Sequence, residues 1–254
     1  MDLVQCAPDR PAALHGARKL DPAFDRPRRQ QEGLSGAVVP RERGESLGPL
    51  FDAFPALLER RATDQERAQF ERYADLLLLW NRTHNLTGLR TTASIGKGLF
   101  LDSLLFRSML PRGPGLRMVD IGAGAGIPGI PLRIVDPSIV LTLVESKRKP
   151  VSFLLSLVRE LDLGDVGVCH ARAEDVTTQY PDLVGQFDIA LSRAAGNLPG
   201  LLPAAMRYLR TGGVFIASGP PSGGKPPSPG MQWRRVNYKT LGISRLFTFA
   251  EKPS

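Results

Sequence analysis

From residue 116 onward, short apolar runs alternate with segments of helical period. Arg117–Ile121, Val140–Glu145, Val166–His170, Phe187–Leu191 and Gly213–Ala217 read as strands, with helices predicted near 127–135, 147–161 and 199–210. Strands that are apolar on both faces and separated by helices predict a mostly parallel, doubly wound sheet. Two more strand-like runs, Trp233–Leu241 and Arg245–Ala250, follow the Pro/Gly-rich segment Pro220–Gly230 and bring the sheet to seven strands. Upstream, Thr63-Asp64-Gln65-Glu66 forms a capping box, and Phe70, Tyr73, Leu77 and Trp80 recur behind it at helical spacing. A helix over about 64–82 and a shorter one over about 95–109 make residues 51–112 a small helical N-terminal subdomain, with the sheet domain over 113–254. Residues 1–50 hold six prolines, scattered charge and no sustained period, and are expected to be a disordered tail. Deleting residues 1–48 should therefore leave the fold intact.

Composition narrows the class. The 254 residues are 42% hydrophobic and 23% charged, as in an ordinary globular protein. No apolar run approaches the roughly 20 residues of a membrane span, and no signal peptide stands out near the start. The cysteines Cys6 and Cys169 have neither disulfide-framework nor CxxC spacing, so a reducing, cytoplasmic setting is expected. The formal charge is +8, and the first 50 residues, with eight basic and seven acidic side chains, supply only +1 of it. A basic folded part points to a polyanionic partner such as nucleic acid, against the plainer reading of general basicity.

The chemistry concentrates in Asp120-Ile121-Gly122-Ala123-Gly124-Ala125-Gly126-Ile127-Pro128-Gly129. A first strand runs into a glycine-rich turn that opens a helix, the place where open α/β sheets hold nucleotides. Gly124, Gly126 and Gly129 formally fit a dinucleotide fingerprint, but the turn should begin where the strand ends, at Gly122, and that register leaves Ile127 in the third glycine's place. Asp120 can accept a hydrogen bond from an ammonium or a ribose hydroxyl and would repel a pyrophosphate. Glu145 closes the second strand, where a carboxylate can hold the ribose hydroxyls of an adenosine. Together with Gly124 in the turn, these acids give the S-adenosylmethionine arrangement rather than the NAD one. A glycine turn made only for tight packing is the competing reading.

Several further strings make the chain resemble the bacterial 16S rRNA guanine-N7 methyltransferases, the glucose-inhibited division protein B family. They are Trp80-Asn81-Arg82-Thr83-His84-Asn85-Leu86-Thr87, Leu101-Asp102-Ser103, the glycine loop through Pro131, Ala171-Arg172-Ala173-Glu174 and Leu191-Ser192-Arg193-Ala194, with Arg245-Leu246-Phe247 a weaker match. The resemblance implies a class I S-adenosylmethionine-dependent methyltransferase fold, Rossmann-like, with methyl transfer to N7 of guanine 527. It implies cofactor contacts at Gly122, Ile127, Ala173, Glu174 and Arg193, with Arg193 also positioning the reactants. The expected partner is 16S rRNA or a small-subunit precursor. The protein is expected to be a monomer without metal or membrane.

Guanine N7 carries an in-plane lone pair, so its methylation needs no general base, only positioning and tolerance of moving charge. The chain agrees. It has Ser192-Arg193-Ala194 where amino-group methyltransferases carry D/N-P-P-aromatic, and Gly219-Pro220-Pro221-Ser222 lies elsewhere. Neither Cys6 nor Cys169 is placed as the nucleophile that cytosine-C5 chemistry requires. His84 and His170 lack partners at metal spacing. Lys147, Arg148 and Lys149 read as a solvated helix face, and Gly223, Gly224 and Lys225 as a connector or a loop near the site. Two positions depart from the family pattern: Leu99 stands where a histidine is common, and Ser218 where a lysine is. Both are expected to face RNA or the mouth of the site. They keep open a diverged enzyme acting on another RNA or a protein, and a cofactor-binding RNA protein without transfer activity.

Overall fold

The structure, a computed structural model, describes residues 46–111, 113–193, 198–218 and 230–253. The segment through residue 45, Ala194 and the Pro/Gly stretch up to residue 229, with Gly223, Gly224 and Lys225, lie outside the described residues. Seven strands, β1 (Arg117–Ile121), β2 (Val140–Glu145), β3 (Val166–His170), β4 (Phe187–Arg193), β5 (Leu209–Ser218), β6 (Gln232–Tyr238) and β7 (Ile243–Glu251), form one sheet in the order β3-β2-β1-β4-β5-β7-β6. The first five are parallel, and β7 runs antiparallel to both neighbours. This is the sheet of the class I methyltransferase fold, with the order reversing between β1 and β4, where such sheets open a crevice beyond their strand ends.

Helices cover both faces. Gly129–Val135 and Arg148–Glu160 lie on one, Leu198–Tyr208 on the other, and the two faces carry separate apolar clusters. The long helix Asp64–His84 starts at the capping box: the Thr63 hydroxyl accepts from the Glu66 amide at 3.2 Å, and Glu66 accepts from the Thr63 amide at 2.7 Å. Of its expected core residues Phe70, Tyr73 and Leu77 are fully buried, while Trp80 is half-buried against His84 and Phe153.

The helical segment differs from the sequence reading in two ways. Order begins before residue 51: Leu47 and Leu50 are buried, and Gly48–Asp52 and Phe54–Leu58 are short helices. Leu47, Leu50, Phe51, Phe54 and Leu57 do recur at three- and four-residue spacing, a period concealed by prolines that are harmless in a first helical turn. Deletion through residue 48 would thus remove a core side chain. Second, residues 47–110 share one continuous core with the β1, β4, β5 and β7 side chains on that face, so they form a layer of the same unit. Residues 92–109 coil continuously, through an α-turn, a π-helical stretch at Gly96–Leu101 and a closing 3-10 turn.

Candidate functional site

The end of β1 sets the first part of the site. Gly122 and Gly124 adopt left-handed backbone, and both Gly122 and Ala123 donate to the Val144 carbonyl, folding the turn across the end of β2. A Cβ on Gly122 would meet nothing within 4 Å, so the turn borders open space there. Gly126 is different. A Cβ there would lie 2.9 Å from both Ile130 and the Tyr73 hydroxyl, which itself donates to the Ala125 carbonyl. Tyr73 therefore does more than fill the core: it ties the long helix to the turn.

Asp120 is fully buried at this turn. One carboxylate oxygen accepts from the Gly129 amide at 2.8 Å, at the start of the following helix, and the other, Oδ1, has no partner. Burial pushes its carboxyl up to about 7, helped by nearby Glu145 and opposed by the Gly129 amide and by Arg193. Glu145 is also buried. Its two oxygens accept from the Gly124 amide at 2.9 Å and the Lys147 amide at 2.7 Å, so this acid braces the turn as well as facing it. Each oxygen keeps a further lone-pair direction.

The second part of the site joins the helical layer to β4 and β7. Arg193, at the end of β4, donates from Nε to Asp102 Oδ2 and from Nη2 to the Gly98 carbonyl, each at 2.8 Å. Arg245 of β7 contacts the other oxygen of Asp102. One buried carboxylate thus faces two half-buried guanidinium groups, whose pKa values are both depressed by burial. A groove of about 550 Å³ opens beside them, with Lys97, Leu101, Leu105 and Ile243 in its walls.

The predicted residues fall into distinct groups. Asp120, Gly122, Gly124, Ile127 and Glu145 gather at the turn, with Ile127 buried. Arg193 lies close enough to Asp120 to act on its charge but spends its fork on Asp102 and Gly98. Ala173 and Glu174 occupy a 3-10 turn just beyond β3; Ala173 is half-buried, and Glu174 is exposed, 3.7 Å from Arg172. Leu99 and Ser218 do not line an open surface as expected. Both are buried, Leu99 in the core as part of the π-helical stretch and Ser218 between Arg193 and Phe247 in the sheet register. Asp102, which the sequence offers only as part of a matching string, turns out to be shared by Arg193 and Arg245, the latter likewise known only from a matching string.

The Trp-Asn…Asn-Leu-Thr string has a plain structural basis. Buried Asn81 donates to the Leu89 carbonyl and accepts from the Thr87 amide, both at 3.0 Å, while Asn85 ends the long helix in left-handed conformation. The string is a pin for the loop after the helix.

The family described as GidB, rRNA small subunit methyltransferase G, matches residues 66–219. The chain belongs to this family. Relatives named ribosomal RNA small subunit methyltransferase G include one from Alkaliphilus oremlandii, 41% identical over 155 residues, 61% of this chain and 64% of that protein. Another, from Streptococcus pneumoniae serotype 4, is 36% identical over 157 residues, 61% of this chain and 65% of that protein. The match thus spans just under two thirds of these relatives' length. Among solved structures, TrmN from Thermus thermophilus aligns over 60% of this chain and 48% of that one, at 17% identity and a TM-score of 0.46.

Proposed function

We propose that the protein transfers a methyl group from S-adenosylmethionine to N7 of a guanine in 16S rRNA, position 527 in the family's numbering. The observation that carries this reading is the buried Asp120 with one unpartnered oxygen, set at a glycine turn that is open at Gly122. Such an oxygen needs a donor, and an amino-acid ammonium beside a glycine turn provides one. Bound S-adenosylmethionine supplies an electrophilic methyl group on sulfur. Gly122 and Gly124 would let its backbone approach closely, Glu145 has lone pairs left for ribose hydroxyls, and Ile127 gives an apolar wall. Ala173 and Glu174 would meet the adenine from the far side of β2.

Arg193 is assigned to positioning. Held on Asp102 and Gly98, its guanidinium is fixed before any ligand arrives, so an anionic group meets a donor already in place. Asp120, Glu145 and the Gly122–Gly124 turn would hold the cofactor for methyl transfer to guanine N7, whose own lone pair accepts the group without a base, while Arg193 positions the two reactants. No proton is lost from the purine, which becomes cationic. The chain's part is to align the two reactants and keep water out.

In this reading the enzyme works as a cytoplasmic monomer on rRNA or a small-subunit precursor. Mass mapping of methylated nucleotides in rRNA from a deletion strain, with and without the restored gene, tests it. Loss and recovery of one N7-methylguanine is expected. An unchanged rRNA map would overturn the substrate, and failure of the purified protein to bind S-adenosylhomocysteine would overturn the cofactor.

A further inference from the structure

The family match ends at residue 219, yet the chain completes its sheet with an antiparallel ribbon, β6 and β7, beyond it. Among the described residues β6 is the edge strand, with one row of its backbone groups unpaired. Residues 232–235 are exposed throughout, and Trp233 is one of the few large apolar side chains exposed among the described residues, at 40%. Residues 230–253 carry Arg234, Arg235, Lys239, Arg245 and Lys252 against the single acid Glu251. Alternation puts Trp233 and Arg235 on one face of the sheet, opposite Thr248 and Leu246, and Arg234 on the other, with its guanidinium 5.7 Å from the Phe249 ring centre.

Register ties this edge to the site. Arg193 pairs with Ser218, Ser218 with Phe247, and Phe247 with Arg234, one row across four strands. Three strand spacings separate Arg193 from Arg234, about 14 Å, a few nucleotides of an extended strand. Trp233 and Arg235 on one face of an edge strand, with Arg234 reaching the same rim from the other face, offer a stacking face and phosphate donors together, the combination that holds unpaired bases. A second copy of the chain fits poorly, because edge-to-edge pairing would set arginine against arginine.

We propose that the β6–β7 ribbon binds a single-stranded segment of RNA, a base stacking on Trp233 and phosphates meeting Arg234 and Arg235. The assignment rests on the reading that RNA is the substrate. The test uses the full chain, 16S rRNA transcript and a short single-stranded RNA oligonucleotide, with Trp80→Phe as background so that Trp233 is the only fluorophore of its kind. Oligonucleotide should quench that fluorescence. Arg234→Gln/Arg235→Gln should weaken rRNA binding about tenfold at low salt and lower the salt slope by about two units, one for each phosphate left unneutralised. Trp233→Ala should weaken oligonucleotide binding by about tenfold and Trp233→Phe restore much of it, as stacking requires. Affinity for S-adenosylhomocysteine and the melting temperature should hold in all of these variants.

Unchanged RNA binding in the arginine and Trp233→Ala variants, by a protein that still methylates rRNA, would overturn the ribbon assignment and leave the proposed function standing. Loss of RNA binding in those variants of a protein that never methylates rRNA would uphold the ribbon and overturn that function. Self-association of the wild type that the variants abolish would show the edge to be a contact between copies, which also overturns the assignment.

Discussion

Two buried aspartates anchor the two halves of the site, and they are opposites. Asp102 has an arginine facing each oxygen, hydrogen-bonded to Arg193 and ion-paired with Arg245; Asp120 has one amide on one oxygen and, among the described residues, neither a hydrogen bond nor an ion pair on the other. A buried carboxylate set between two guanidinium groups is fixed in place by them and works by holding others. One with an unpartnered oxygen and a carboxyl raised to about 7 is left needing a donor. The first kind serves the scaffold, and the second is the one the proposed function gives to the ligand.

The contrast breaks first at Asp102. Asp102→Ala leaves two half-buried cations without their acid and should cost about 3–5 kcal/mol of stability, read as a lowered urea midpoint. A loss below about 1 kcal/mol would mean that water already screens the arginines and that Asp102 is no anchor. Next comes Leu47, which packs against Gly96 at the start of the π-helical stretch that leads into Asp102; a Cβ on Gly96 would come within 2.7 Å of it. Leu47→Ala should cost about 2–4 kcal/mol, and a protein lacking residues 1–48 should lose as much.

On the Asp120 side, Gly122→Ala meets no neighbour and should cost only about 1–2 kcal/mol, for left-handed backbone. Binding of S-adenosylhomocysteine, measured by calorimetry, should nonetheless disappear. Retained affinity would move the ligand away from the turn.

The smallest effect is a pH dependence. Asp120 must ionise to accept from an ammonium, so affinity should rise about tenfold from pH 6 to 8 and then level off. Asp120→Asn should flatten that rise. In the ligand-free protein the sign reverses. The folded carboxyl holds its proton more tightly than the unfolded one, so its contribution to stability is present at low pH and is lost as pH climbs from near 3.8 to about 7.

The two regions also differ in how far they can be read from the chain. The turn is local: strand end, glycines and both acids fall within 26 residues, and β1, β2 and β3 have the predicted ends. The Asp102 cluster is not. Its three members come from the helical layer, β4 and β7, and no spacing rule links residues brought together only by the sheet order. Arg193 is legible as a site residue, but its partners are not, because a fork that fits a phosphate also fits a carboxylate. The burial of Leu99 and Ser218 is hidden for a related reason: a strand end or a distorted helical turn can face either way until its neighbours are placed. At the start of the chain, proline content obscures a short apolar period.

The Tyr73 hydroxyl on the Ala125 carbonyl has an engineering consequence. Because the glycine turn leans on a helix from the other half of the chain, the sheet cannot be lifted out as a portable cassette. A chimera that grafts residues 113–254 onto a foreign helical layer would inherit the turn without its brace. A split between residues 112 and 113 would yield fragments useful only as a complementing pair.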